Sequence, residues 1–414
     1  MILKFQLKLH FFLPENPTIS SPFSTSIGHA YVYQLNEIFL DLMQIYTVMS
    51  EAICDSIRNN PQNISQPEIK EMRSIKKESL RLITLWITKS TDNRLLKEDY
   101  SPSLLQNILP DYLNSPVEVR EPEVIDCCRA ILTKLGMDGQ DYVLEIFKSV
   151  FDPTLNMIKT TDHLFPEHRT NFFQLLSAIN QHCFISMLKL NETQFRMVLD
   201  AIIWGMKQMM PECKETSLEI LDTLLDNVTD PEITPRDMAQ AFYKSYHIFI
   251  LEHIFGVSTN ILHSKANLSQ HACLLMKMIH IVIGSDPRNN NQPIIQVSLM
   301  ENMPDNRAAV YQHIANLLKQ QFGNAVTDAQ IQVFVEGIFT LYTNRADFIS
   351  HLRDFLIQMK QMRGEDTTDL FLEERMAEIK GKQEENRKQE AAKNAAIPGM
   401  MNPYAALDDD EALQ

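Results

Sequence analysis

Glycine is the residue this chain does without. Eleven of its 414 residues are glycine, under half of the roughly 7% found in an average protein. Tight hairpins and phosphate-cradling loops both consume glycine, so a sheet-rich or nucleotide-binding fold is disfavoured from the outset. What remains is long, rich in leucine and methionine, and suited to helices. With 44% hydrophobic and 22% charged residues, the chain has enough apolar material to build a core.

Apolar residues recur with helical spacing from about residue 28 to 395. After Asn191, the residues Phe195, Val198, Leu199, Ile202, Ile203 and Met206 share one helix face. Asn191 with Gln194 forms a capping-box pattern, and Pro211 stops that helix and opens the next. Leu218, Leu221, Leu224, Leu225 and Val228 make the following stripe. Pro166 opens a helix with Phe172, Leu176, Ile179 and Cys183, and Ala346 opens one with Phe348, Ile349, Leu352, Phe355, Leu356 and Met359. Further helices are predicted near 29–58, 65–90, 102–113, 121–135, 140–150, 235–259, 268–284, 306–322 and 327–342. Alternate helices begin about 40 residues apart, the period of paired-helix repeats. The predicted fold is all-α, a superhelical solenoid of about seven helix pairs of the HEAT or armadillo kind, each burying its apolar face on its neighbours. Residues 285–305, with Asn289-Asn290-Asn291-Gln292-Pro293, read as a loop between repeats.

Charge narrows the partners. Lys and Arg number 38 against 53 Asp and Glu, a formal −15. Such a chain repels nucleic acid and anionic lipid and suits a basic protein. No run of about 18 apolar residues predicts membrane insertion. Met1 to Leu13 has a faint signal-peptide look, but Lys4, Lys8 and His10 interrupt it and no small-residue cleavage site follows. The one basic patch is Lys70, Arg73, Lys76, Lys77 and Arg81. It lacks interleaved aromatics, so it reads as a solvated face or a contact for an acidic partner.

Candidate chemistry is thin. The cysteines at 54, 127, 128, 183, 213 and 273 form no CxxC pair and suit a reducing compartment. Four glycosylation-type triplets, beginning at Asn63, Asn191, Asn227 and Asn267, are chance matches in such a chain. His163-Leu164-Phe165-Pro166-Glu167-His168 has one residue too many, and a proline, for an inverted zinc-protease motif. It reads as a helix entry. Neighbouring His182 and Cys183 face apart on a helix, so Cys183 reads as core. Met206, Met209 and Met210 read as packing between repeats. No glycine-rich phosphate loop and no nucleophile elbow is present.

The C-terminal region differs in kind. Residues 365–396 read as a long helix with an acidic first half and a basic second half, which complements its dipole. Leu370, Phe371, Leu372, Met376 and Ile379 are its apolar residues. It cannot be fully buried, so it is a cap, an arm laid across another surface, or a solvated end. Residues 397–414 read as a flexible tail carrying Asp408, Asp409, Asp410 and Glu411.

Several strings resemble a known family. They are Phe165-Pro166-Glu167-His168-Arg169-Thr170-Asn171-Phe172-Phe173, Leu199-Asp200-Ala201-Ile202-Ile203-Trp204 and Arg120-Glu121-Pro122-Glu123-Val124. The longest is His351-Leu352-Arg353-Asp354-Phe355-Leu356 with Gly364-Glu365-Asp366-Thr367-Thr368-Asp369-Leu370-Phe371-Leu372-Glu373-Glu374, and Ile397-Pro398-Gly399 and Asn402-Pro403 follow. Over residues 27–414 the chain resembles the C-terminal portion of the exportin-1 family, within the importin-β (karyopherin) superfamily. The resemblance implies a HEAT-repeat receptor that binds leucine-rich export signals together with GTP-bound Ran. It also implies contact with nucleoporins, shuttling between nucleus and cytoplasm through the pore of the nuclear envelope, and no catalysis or cofactor of its own. In the family the C-terminal helix and acidic tail restrain signal binding when Ran is absent. Here those segments match Asp366 to Asn394 and Asp408 to Glu411.

The match also has gaps. The family's N-terminal Ran-embracing repeats, its central export-signal groove and the groove's reactive cysteine have no counterpart here, so none of the six cysteines inherits that role. Residues 1–26 form an unmatched segment, although Met1-Ile2-Leu3-Lys4 fits. Residues 5–25 have the character of a gene-model scar, which transcript reads running uninterrupted through them would disprove. The competing readings are a stand-alone HEAT scaffold or non-exporting short form and, least supported, an enzyme on a helical frame.

Overall fold

The computed structural model describes residues 22–160, 164–259, 268–286, 292–323, 326–364 and 366–371, together with 375, 379–383 and 387. The fold is all-α and HEAT-like. The chain divides into two compact units, Met1–Leu224 and Leu225–Gln414.

In the first unit, α1 (Pro22–Asn59) pairs with α2 (Pro67–Lys89), and α3 (Ser101–Asn114) with α4 (Pro122–Leu135). Helices α5 (Gln140–Ile146) and α6 (Asp152–Thr160) precede α7 (Pro166–His182). Then come α8 (Glu192–Met206) and α9 (Pro211–Thr229), which runs across the division between the units. Helices α2, α4 and α7 lie side by side in one layer. Helix α1 contacts α3, and α3 contacts the turn joining α5 to α6, forming the other layer.

Side chains sew each repeat to the next at the spacing the sequence predicts. Asn171 Nδ2 donates to the Pro122 carbonyl at 3.0 Å, 49 residues away. Tyr142 Oη donates to the Lys97 carbonyl at 2.7 Å, 45 residues away. Asn180 Nδ2 donates to the Ile220 carbonyl at 2.9 Å, 40 residues away. Glycine appears where helices cross most closely. A Cβ on Gly205 would collide with Ser217 Oγ and the Phe173 ring, and one on Gly337 would collide with the His351 imidazole.

The predicted caps and stripes are present. Asn191 and Gln194 form a reciprocal capping box, and Pro211 opens α9. Phe195, Val198, Leu199, Ile202, Ile203 and Met206 are all buried. Some boundaries differ, for identifiable reasons. Helix α1 opens at Pro22, upstream of the expected 29. The expected helices at 102–113 and 140–150 belong to longer runs. A single turn, Asn93–Leu95, passes through a π turn, Leu96–Tyr100, into α3, and α5 passes through Phe147–Phe151 into α6. Each π turn immediately precedes a dipeptide ending in proline, Ser101-Pro102 and Asp152-Pro153. Proline lacks an N–H, and its ring crowds the carbonyl four residues back. Widening the turn by one residue relieves that clash without ending the helix.

The second unit contains α10 (Arg236–Thr259), α11 (Leu268–Ile283), α12 (Asn306–Phe322), α13 (Asp328–Leu341) and α14 (Arg345–Arg363). Helix α11 packs on α10 and α14, and α13 packs on α12 and α14. Phe334 stacks on Phe355, with ring centroids 3.8 Å apart, and on the His351 ring at 5.2 Å. The region expected to be a loop, 285–305, holds a two-residue antiparallel ladder. Strands β1 (Ser285–Asp286) and β2 (Gln292–Pro293) pair Ser285 with Pro293 and Asp286 with Gln292.

Four of the five basic residues on α2, Arg73, Lys76, Lys77 and Arg81, pair with carboxylates of the chain itself, which corrects the expectation for them; Lys70 is exposed. Glu121, with a side chain 0% exposed, accepts from Arg73 Nε at 2.6 Å and lies 3.3 Å from Lys77 Nζ. Lys76 Nζ donates to Asp111 Oδ2 at 2.6 Å, and Tyr46 Oη donates to the same oxygen at 2.6 Å. Arg81 bonds Glu123 on α4 and Glu78 on its own helix, both at 2.8 Å. The positive charges of α2 therefore join it to neighbouring helices; sequence alone hid this because the carboxylates lie up to 48 residues away.

Two predictions follow from these buried groups. Glu121→Ala leaves Arg73 and Lys77 facing a site with no carboxylate, and stability falls by about 3–5 kcal/mol. A double replacement, Glu121→Leu with Arg73→Met, recovers part of that loss; urea unfolding of the three chains checks both. The second concerns His247, which is fully buried with neither ring nitrogen hydrogen-bonded. Burial pushes its pKa down to about 3. An unfolded imidazole protonates near about 6.5, so below that pH the unfolded state holds the extra proton. Stability therefore declines as pH falls from about 6.5 towards 3, by about 1.4 kcal/mol per pH unit from this group. His247→Leu flattens the slope of the urea midpoint against pH.

Candidate functional site

The candidate residues at the C-terminal end divide sharply. Helix α14 stops at Gly364, whose φ of +70° suits glycine and closes the helix. The described residues just beyond, within the span expected to be helical, take another form. Thr368–Phe371 is instead a 3-10 turn. Asp366 starts it by accepting from the Thr368 backbone N–H at 3.0 Å and from the Thr368 hydroxyl. Those bonds to Thr368, with a smaller contribution from the Lys360 charge, hold the Asp366 carboxyl below its ordinary pKa.

This turn folds Leu370 inward to 5% exposure. The Arg353 guanidinium lies 5.2 Å from the centre of the half-buried Phe371 ring. A cation over an aromatic face adds about 0.5–2 kcal/mol to the apolar burial. Phe371 thus meets α14 at Arg353, earlier in the chain, with Leu370 buried beside it. Helical backbone is present at Arg375, at 379–383 and at Arg387, and Ile379 is 51% exposed. Leu372 and Met376 lie outside the described residues, as do Asp408, Asp409, Asp410 and Glu411 of the tail. The contribution of Arg353 was not legible in advance. The signal available was Gly364, a helix-stop residue directly ahead of Leu370 and Phe371.

The nucleophile and ligand candidates have structural roles. Cys127, Cys128 and Cys183 are buried, and burial pushes the Cys127 thiol to about 12 and the Cys183 thiol to about 11. A thiol held protonated is a poor nucleophile. Cys183 Sγ donates instead to the Gly136 carbonyl at 3.3 Å. His168 is buried, its pKa pushed down to about 4 by desolvation, and its Nε2 donates to the Arg120 carbonyl at 2.9 Å. His163 lies outside the described residues. The methionines separate: Met206 is buried, whereas Met209 is 81% exposed and does not pack between repeats. Among the described residues no group of three or more His, Cys, Asp or Glu is placed to hold a metal ion, and no helix is long and apolar enough to cross a membrane.

The helices from within α1 to the end of α14 match a family model described as CRM1 C terminal, over residues 34–364. Exportin-1 of Drosophila melanogaster is 39% identical over 386 residues, covering 93% of this chain and 34% of its own length. Protein EXPORTIN 1A of Arabidopsis thaliana is 30% identical over 390 residues, covering 93% and 34%. Exportin-1 of Schizosaccharomyces pombe is 31% identical over 380 residues, covering 92% and 34%. The chain spans about a third of the length of the curated relatives it matches. With paired helices in a HEAT-like array and a family model matched along most of them, the chain belongs to the exportin-1 family.

Proposed function

We propose that this chain works as the C-terminal part of a nuclear export receptor, carrying proteins rather than catalysing a reaction. The supporting observation is the match to the CRM1 C-terminal model over residues 34–364, joined to 39% identity with a protein named Exportin-1. The partners on this reading are GTP-bound Ran, cargo with a leucine-rich export signal, and nucleoporins. The protein moves between nucleus and cytoplasm through the pore. Stacked helix pairs suit the task because they offer long surfaces and deform by small changes at each interface. The family's signal groove lies in repeats that have no counterpart in this sequence. The contribution here is to Ran contact and to control by the C-terminal helix and the acidic residues Asp408 to Glu411.

A chimera tests the reading. The matched region of Drosophila Exportin-1 is replaced by residues 34–414 of this chain, and export of a reporter with a leucine-rich signal is followed in permeabilised cells. Export that depends on GTP-bound Ran is expected. A folded chimera that binds neither Ran nor reporter overturns it. The 414-residue chain alone is expected to show no saturable binding to an export-signal peptide in a fluorescence titration, and micromolar binding contradicts the assignment. In the chimera, neutralising Asp408, Asp409, Asp410 and Glu411 to their amides raises peptide affinity without Ran at low salt. An unchanged affinity removes the tail from the regulatory scheme.

A further inference from the structure

We infer that a cavity beside the first half of α12 receives an arginine side chain from a basic segment of a partner protein. The cavity has a volume of about 360 Å³ and lies within the second unit. Met300, Met303 and Ala309 give it an apolar surface, and Glu301, Gln312, His313 and Asn316 line the rest. Among the described residues no lysine or arginine lines it. His313, the one lining group able to carry positive charge, is 3.0 Å from Glu252 Oε1. Glu301 is exposed and ready to accept. The polar lining thus offers a carboxylate and amide oxygens, and Glu301 is its one permanently charged group.

The walls are preorganised. Ser298 Oγ donates to the Met300 carbonyl at 2.6 Å and lies 3.1 Å from the Met303 carbonyl, closing a bridge between the two methionines. Asn306 braces the same loop, accepting from the Leu299 N–H and donating to the Val297 carbonyl, both at 2.9 Å. Asp305 caps α12 through the Arg307 N–H at 3.0 Å. The occupant needs an apolar stem for the methionines and several donors for the oxygens. Arginine supplies three methylenes and five N–H donors in a planar fork, and methionine adapts to such a stem. The chain's net −15 draws basic segments towards it. This inference does not depend on the export reading.

The test uses the full 414-residue chain with isotopically labelled methionine methyls, titrated with a glycine-flanked triarginine peptide and followed by NMR. The Met300 and Met303 methyls are expected to shift saturably. Replacing the arginines by citrulline keeps the shape, removes the charge and weakens binding at least about tenfold, the weight of a charge-assisted hydrogen bond. Glu301→Gln weakens it by about fivefold, within the same range. Glu219→Gln, an equal charge change on α9, leaves affinity within about twofold, as expected for a surface charge outside the contact. Three results overturn the inference. A norleucine peptide that binds equally well makes the cavity a purely apolar anchor. Equal losses from Glu219→Gln and Glu301→Gln make the attraction diffuse. Shifts confined to other methionines place the peptide elsewhere.

Discussion

An apolar helix face too wide for its own partner to cover is the constraint on which this fold rests. Helix α4 shows it most clearly. Val124, Ile125, Cys127, Cys128, Ile131 and Leu132 are each 0% exposed, and with the buried Pro122, Glu123 and Ala130 they extend around most of the helix circumference. One antiparallel neighbour cannot cover such a helix. Helix α4 is covered by α2 on one flank, α7 on the other and α3 from the second layer. Every inner helix in the first unit inherits the same need, so stability is shared between neighbours rather than held in separate cores.

Apolar burial holds helices together but does not fix how far one slides along the next. Polar side chains supply that register. Glu121 accepts from two cations of α2 while fully enclosed. Asn180 reaches a carbonyl of α9, and Tyr112 shares a hydrogen bond with Thr154 of α6 at 2.7 Å. A buried polar group strongly prefers the one alignment that satisfies it, because leaving it unpaired costs about 1–3 kcal/mol. Adjacent repeats are thereby held to single alignments without any disulfide; all six cysteines are free.

How much was legible in the sequence follows from the range of each interaction. Features set within one or two turns were readable: the Asn191–Gln194 box, the Pro211 start and the α8 stripe. So was the repeat period, since it reflects helix length plus loop length. The proline-adjacent helices misled, because a proline in sequence signals a break, whereas a π turn let the helix continue through Pro102 and Pro153. The basic residues of α2 misled for another reason. Five cations on one helix look like a surface until Asp111, Glu121 and Glu123 fold against four of them. At the C-terminal end, Leu370 and Phe371 were readable as apolar residues, but not as a turn closing back on Arg353.

This internal use of cations changes what the surface presents. Arg73, Lys76 and Lys77 are paired with Glu121 and Asp111 inside the first unit, so these cations do not offset acidic residues elsewhere on the surface. On α9, Glu212, Glu215, Glu219, Asp222 and Asp226 fall at intervals of three and four, along one face. Of these, Asp226 pairs with Lys277 at 2.8 Å. A face of that kind adds little affinity at physiological salt, where the screening length is about 8 Å. Its effect is on approach: a basic partner is drawn in and turned before any close contact forms. Selectivity on this view rests with shaped sites such as the cavity beside α12, where hydrogen bonds brace the loop that carries Met300 and Met303. The two features act at different ranges, a broad field that acts on approach and a small shaped site that acts only on contact.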